Sequence, residues 1–589
     1  MRRKSALAAA ATAALALVLS ACGGGGGGTP QQPAQSATGG AAAQPAANAA
    51  LTQVYNPSTK KGGTLKAAHS SDWDSLDPGD TYYGYSFNFG RLYWRTLTMY
   101  KPGPGPEGNT VIPDLAEGLG TPSDEGKTWT YKLKSGLKFE DGTPITAKDV
   151  AYAVARSFDK ETFPHGPSYL NELLAWPKDF KGVYKTPDVD YKSAVEATDD
   201  TTVVFHLTKP FSDMDYIVQM PMTAPVPKAK DTGAKYKEKV VSSGPYKFET
   251  NQIGKSFALV RNDQWDPATD PNRPALPDRI EVQLNVNADD LDNQLISGNI
   301  HLDIPGTGLQ PAALGKVLPD PALKARTDNP TIPRLWYVSV IPDNPPLDNP
   351  DCRKAVLWAA DRVANQTAYG GPVAGGDLAT NVMPPPIAGQ EKFDLYTTPE
   401  NKGDVAKAKE ALAACGQPNG FSTTMSFRSD RPREKALAEA MEQALAKVGI
   451  KLTLKGFPAS SYFSDYAGNT QYVKKNGIGL ATHGWGSDWP TGYGFMQAIV
   501  DSRTIRPAGN YNLSVKNPEV DKLIDQAAAE LDTTAREKLW VDVDKKVMED
   551  ASILPVVWAK ALLLRGEGVT NIAYNEGQSM YDYILLGVQ

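Results

Sequence analysis

Between Phe421 and Leu454 the chain spells out one structural unit almost completely. Apolar residues alternate from Phe421 to Phe427, the period of a half-buried strand. Pro432 then opens a run in which Leu437, Met441, Leu445 and Val448 share one helical face, and Gly449 ends it. Ile450, Leu452 and Leu454 alternate again as a second strand. Strand, helix and strand in this order demand parallel strands joined by a right-handed crossover. A chain built around such a unit is α/β, with sheets covered by helices.

The same periods recur elsewhere. Trp129, Tyr131 and Leu133 alternate with Thr128, Thr130 and Lys132, and Leu137 and Phe139 continue the pattern before an Asp141-Gly142 turn. Thr146 to Asp149 reads as a capping box, followed by a helical stripe of Val150, Val154 and Phe158. Ile280 to Val286 and Trp336 to Ile341 read as strands, and Asn349-Pro350 opens a helix that carries Cys352. Thr534 to Glu537 is a second capping box, ahead of a stripe of Leu539, Val543 and Val547. These stripes are core positions.

The N-terminus reads as an address. Arg2, Arg3 and Lys4 precede an apolar run from Ala6 to Leu19, which is too short to span a bilayer. It ends in Leu19-Ser20-Ala21-Cys22, which resembles the lipobox of bacterial lipoproteins, in which the Cys is lipidated and becomes the first mature residue. Residues 1–21 are therefore expected to be a lipoprotein signal peptide, and Cys22 the lipidation site. Two acyl chains suffice for stable anchoring, and no later stretch offers a second membrane attachment. Residues 22–61 are rich in Gly, Ala, Pro and Gln and are expected to form a disordered tether, with folding beginning near Gly62.

About 530 residues then remain, enough for two or three domains around large cores. The net charge of -6, with no basic cluster beyond the signal, argues against a nucleic-acid partner. Apart from Cys22 the only cysteines are Cys352 and Cys415, and whether they form a disulfide or stand as separate buried thiols is left open. The 5 His residues are widely scattered, so no zinc motif appears, and neither a metal nor a cofactor is expected.

One stretch carries unusual chemistry. Ile478 to Phe495 reads IGLATHGWGSDWPTGYGF. Gly484, Gly486, Gly492 and Gly494 argue against a continuing strand or helix, so a loop is expected. It presents Trp485, Trp489, Tyr493 and Phe495 around a single acid, Asp488. Two readings stand: a buried aromatic corner in which Asp488 caps a turn, or a docking site.

From Pro113 to Phe158 the sequence PDLAEGLGTPSDEGKTWTYKLKSGLKFEDGTPITAKDVAYAVARSF resembles the signature region of the family 5 extracellular solute-binding proteins, the oligopeptide- and dipeptide-binding components of ABC importers. Further elements follow in that family's order: SSGPYKFE at Ser242, LVRNDQWD at Leu259, DCRKAVLWAADR at Asp351, GWGSDW at Gly484 and NPEVDKLIDQA at Asn517. The resemblance covers nearly everything after Gly62.

The resemblance implies a two-lobed periplasmic-binding-protein-like α/β fold, of type II and large, joined by a hinge. Lobe one would cover 62–341 with an extra subdomain at about 97–200, lobe two 342–558, and 559–589 would return to lobe one. Asp488 matches the family acid that pairs with a peptide α-ammonium, with Trp485, Gly486, Trp489 and His483 around it. The departure is Trp489-Pro490-Thr491-Gly492, where peptide binders often carry a further acid and Pro. Arg431-Pro432 resembles a pair in the dipeptide binders whose Arg meets the ligand carboxylate, and Arg428 lies at the same strand end; both also fit a solvated helix start. Trp73, Trp94 and Trp176 are lobe-one candidates by residue type alone.

The expected function is a non-enzymatic, monomeric receptor, lipid-anchored outside the cytoplasmic membrane at the cell surface or in the periplasm. It would capture peptides and deliver them to an ABC permease. Within the family, oligosaccharides, nickel chelates and haem are alternative ligands. The rival from another class, a secreted hydrolase, finds no G-x-S-x-G elbow here, since Gly484 to Asp488 reads GWGSD.

Overall fold

The computed structural model describes residues 46–589. The signal peptide, Cys22 and most of the expected tether lie outside the described residues. Three sheets organise the fold. A five-stranded mixed sheet runs in the order Leu302–Asp303, Thr64–Ala68, Arg279–Gln283, Ser256–Arg261, Tyr246–Gln252. A four-stranded antiparallel sheet is built on Thr128–Lys132 and Thr202–His206. It is covered by the Ala147–Ser157 helix, whose capping box pairs Thr146 with Asp149.

The third sheet has six strands, in the order Gly376–Leu378, Ile553–Lys560, Thr331–Val340, Ile478–Gly486, Ser422–Arg428, Lys451–Phe457. Its far edge is the crossover unit that the sequence pattern predicts. Ser422–Arg428 pairs in parallel with Lys451–Phe457, and the Pro432–Ala446 helix between them buries Leu437, Met441 and Leu445. Each sheet has its own apolar cluster, and the largest lies around the six-stranded one. Cys352, at the start of the Pro350–Ala359 helix, is disulfide-bonded to Cys415 at the end of the Val405–Ala414 helix.

Two expectations are corrected. The tether does not run to residue 61: Ala49–Thr52 is a short helix, and the Ala50 N–H donates to Asp328 Oδ1 at 3.0 Å. Tyr55 lies 4.1 Å beneath the Arg565 guanidinium and pairs with Ile572. Leu51 and Tyr55 give this stretch apolar surface that an Ala- and Gln-rich composition conceals.

The second correction concerns the strand expected to close lobe one. Thr331–Val340 lies in the middle of the six-stranded sheet, and Leu335, Val338 and Val340 are buried in its core. The chain therefore enters this sheet before Pro342, just after the Thr327–Asp328 strand, which pairs antiparallel with Leu563–Leu564. The chain leaves this sheet after the Ile553–Lys560 strand. Both passages run together, and a buried Asp328–Arg565 ion pair at 3.2 Å braces them.

Candidate functional site

Between the five- and six-stranded sheets lies a cavity of about 660 Å³. One wall is formed by Gly306, Thr307, Gln310, Gln578 and Ser579, and the other by Arg334, Trp336, Arg431, Arg433 and the turn from Gly486 to Pro490. The strand ends of the larger sheet thus open into it, the usual location of ligands on α/β layers.

The turn follows the Ile478–Gly486 strand. Here the glycines act differently from the sequence expectation. The strand continues through Gly484 and Gly486, and Gly492–Val500 is a helix. A methyl group on Gly484 would lie 2.0 Å from the Trp336 ring, and one on Gly492 would lie 2.0 Å from Trp540 Cγ. These glycines permit close packing of large rings. At Gly486 the Arg334 side chain passes over the backbone, as the direct pairing of the two residues across the sheet requires.

Asp488 sits at the cavity wall, held by its N–H donating to Gly494 O at 3.0 Å. Its Oδ2 accepts from the Tyr169 hydroxyl, which lies 3.5 Å from that of Tyr82. Burial raises its pKa from 3.8 to about 6, although the two tyrosines and Arg334 favour the anion. The carboxylate is therefore kept short of compensation.

Trp489 is buried and its Nε1 donates to Asp213 Oδ2 at 2.8 Å. Its ring meets Tyr169 edge-on at 5.0 Å and belongs to the core of the four-stranded sheet as well as to the cavity wall. The Thr491 hydroxyl donates to the same Asp213 oxygen, and Phe211 packs on Tyr493 at 4.9 Å. The Ser212 N–H donates to Ala528 O at 2.9 Å. The two sides of the cleft are thus in contact along one edge of the cavity.

Of the residues singled out in the sequence, Gly486, Asp488, Trp489 and Arg431 line the cavity. Arg428 does not. Its Nε donates to Glu434 Oε1 at 2.7 Å and both side chains are buried, so its charge is spent inside the sheet. His483 is also withdrawn. It stacks on Tyr337 at 4.9 Å, its Nε2 lies 3.1 Å from Tyr511 O, and burial pushes its pKa down to about 3. It is a neutral core histidine. Trp485 packs on Tyr511 at 5.1 Å and is not among the cavity-lining residues. Trp73 packs among Tyr85, Phe89 and Phe257, and Trp176 stacks on Phe180. Neither they nor Trp94 line the cavity.

Sequence reasoning missed Arg334, Arg433 and Asp213. Arg433 lies inside the predicted helix start and was recoverable. Arg334 and Asp213 act through register and long-range packing, which leave no local pattern.

Comparison with known proteins gives one consistent result. Residues 110–506 match the model for bacterial extracellular solute-binding proteins, family 5. The glutathione-binding protein GsiB of Escherichia coli O1:K1 / APEC is 27% identical over 470 residues, covering 77% of this chain and 82% of the relative. Among solved structures, clavulanic acid biosynthesis oligopeptide binding protein 2 is 43% identical, with a TM-score of 0.88 over 92% of this chain and 98% of that one. DppA from Helicobacter pylori, solved with the peptide STSA, shares the fold at a TM-score of 0.65 and 20% identity, over 90% of this chain and 99% of its own.

Proposed function

The chain belongs to the bacterial extracellular solute-binding proteins of family 5, and on that premise we propose that it is a lipid-anchored receptor that captures short peptides and hands them to an ABC permease. Membership makes it a binding protein, not an enzyme. The observation that carries the peptide reading is the polarity of the cavity, with an under-compensated carboxylate, Asp488, and guanidinium groups on the same wall. A peptide is a zwitterion, and removing its ends from water is costly unless opposite charges replace the solvent. Uncharged sugars have no use for such a lining. The peptide-binding relatives named above support the same ligand class.

In this reading Asp488 takes the α-ammonium, Arg431 takes a carboxylate, and the Trp489 ring keeps water from the pair. Lobe one comprises the five- and four-stranded sheets, lobe two the six-stranded sheet, and the crossings beside the Thr327–Asp328 ribbon serve as the hinge. Ligand bridging the lobes shifts the population toward the closed form. Acylation of Cys22 holds the receptor near the permease at high effective concentration.

Native mass spectrometry of the full chain, extracted without refolding, tests this. Release of peptides on mild denaturation supports it, whereas a single sugar, haem or metal chelate overturns the peptide assignment. Metabolic labelling with a fatty acid that is lost in Cys22→Ala tests the anchor.

A further inference from the structure

The cavity is strongly unbalanced in charge. Arg334, Arg431, Arg433 and Lys560 line it, against Asp488 as its one lining acid. Lys560 is neutralised from outside by Asp377 at 2.7 Å. The other three have no such partner, Arg431 and Arg433 being exposed to solvent and Arg334 half-buried. Arg433 donates to a neutral acceptor, Ala374 O, at 3.0 Å. Arg431 lies 3.8 Å from Glu434 Oε1, but Glu434 is already engaged. Its oxygens accept from Arg428 Nε at 2.7 Å, the Arg428 N–H at 3.0 Å and the Thr482 hydroxyl at 2.9 Å.

Arg334 is the most telling. It stands on the central Thr331–Val340 strand, its guanidinium lies over Gly486 and 5.4 Å from the Trp336 ring, and it is half-buried. Among the described residues no carboxylate or carbonyl accepts a hydrogen bond from it; Arg431 and Arg428 bear on it with like charge, and Asp488 with opposite charge. A guanidinium presents a rigid fork of donors, and one that reaches the cavity wall with no protein acceptor is open to an anion there. A methyl group at position 486 would lie 2.9 Å from its Nη2, so the glycine leaves the guanidinium room to lie over the strand.

Charge counting sets the ligand class. One peptide ammonium satisfies Asp488 and one terminal carboxylate satisfies a single guanidinium, which leaves cationic groups on the same wall without an anion. We propose that Arg334, with Arg431 and Arg433, forms an anion subsite that selects short peptides bearing at least one carboxylate beyond the C-terminus. This rests on the peptide reading above and narrows it to acidic peptides. Bidentate pairing of guanidinium with carboxylate supplies both the strength and the discrimination, because a neutral amide of equal size cannot replace the charge.

The test titrates the full chain, freed of co-purified ligand, with Ala-Glu-Glu, Ala-Gln-Gln, Ala-Lys-Lys and free glutarate. Ala-Glu-Glu is expected to bind at least about tenfold tighter than Ala-Gln-Gln, with Ala-Lys-Lys weakest, and the preference should shrink as salt is raised. In Arg334→Gln the ratio of the first two affinities should fall toward one. Arg431→Gln, altered at a more exposed position, provides a second reading of the same ratio. Equal or tighter binding of Ala-Gln-Gln overturns the anion subsite and leaves the peptide reading standing. Glutarate binding without any peptide binding removes the peptide reading and keeps the subsite. Silence from all four probes overturns both.

Discussion

Trp489 Nε1 donates a 2.8 Å hydrogen bond to Asp213 Oδ2, and the donor and acceptor come from opposite sides of the cleft. Asp213 is buried, takes the Thr491 hydroxyl on the same oxygen, and faces Arg536 across 3.7 Å. The residues beside the cavity thus also fasten the two sides together.

Removing this fastening should favour the open form. Asp213→Ala leaves the Trp489 and Thr491 donors unmatched, at a cost on the order of 1–3 kcal/mol to the closed state. Ligand affinity should fall about tenfold or more by the same reasoning, and small-angle scattering should show an expanded molecule. An unchanged radius with unchanged affinity would show that closure does not depend on this contact.

Asp488 makes stability and binding depend on pH in opposite ways. Its pKa is 3.8 in an ordinary setting and about 6 in the fold. Below about pH 3.8 it is protonated in both folded and unfolded chains and costs nothing. Between about pH 3.8 and 6 the unfolded chain releases its proton while the folded protein keeps it, so stability falls over this range, and the loss is complete once pH passes about 6. The loss is bounded by about 3 kcal/mol for a shift of this size, and access to the cavity reduces it further. Asp488→Asn should therefore melt higher than the parent at pH 7.5, with the difference closing by pH 4. Affinity for a peptide ammonium should decline below about pH 6 in the parent, because protonation removes the charge that receives it.

The glycines of this region give a steric prediction. Gly484→Ala and Gly492→Ala each drive a methyl group to 2.0 Å from a Trp ring atom. Both should lower stability by about 1–3 kcal/mol through overpacking. Gly118→Ala meets nothing within 4 Å and serves as the neutral control in the same denaturant titration.

Those glycines also mark where sequence reading stops. The crossover unit at Ser422–Phe457 was legible because period-two and helical spacings are local properties of the chain. The family resemblance, carried by short motifs in order, implies a cleft position for Asp488, and Asp488 lines the cavity. Gly484 and Gly486 misled, because a glycine tolerated for a ring or a guanidinium on the neighbouring strand looks the same as one needed for a loop. Arg334 was invisible for the same reason, since its position opposite Gly486 is a fact of strand register. The docking of residues 46–61 was hidden by composition, although Leu51 and Tyr55 sat within it.

Arg428 and Arg431, three residues apart in sequence, should separate by experiment into a structural and a cavity arginine. The Arg428 side chain is 7% exposed and that of its partner Glu434 1%, whereas Arg431 is 45% exposed. Arg428→Gln strips a buried carboxylate of its principal counter-charge and should cost about 3–5 kcal/mol in unfolding free energy, read from the shift of the denaturation midpoint. Arg431→Gln removes a largely solvated charge and should shift stability by no more than about 0.5 kcal/mol. Its consequence should appear in ligand affinity, which Arg431 reaches directly from the cavity wall. Measuring both midpoints and both affinities decides the assignment, because an Arg428 variant of parental stability that loses ligand would return Arg428 to the site.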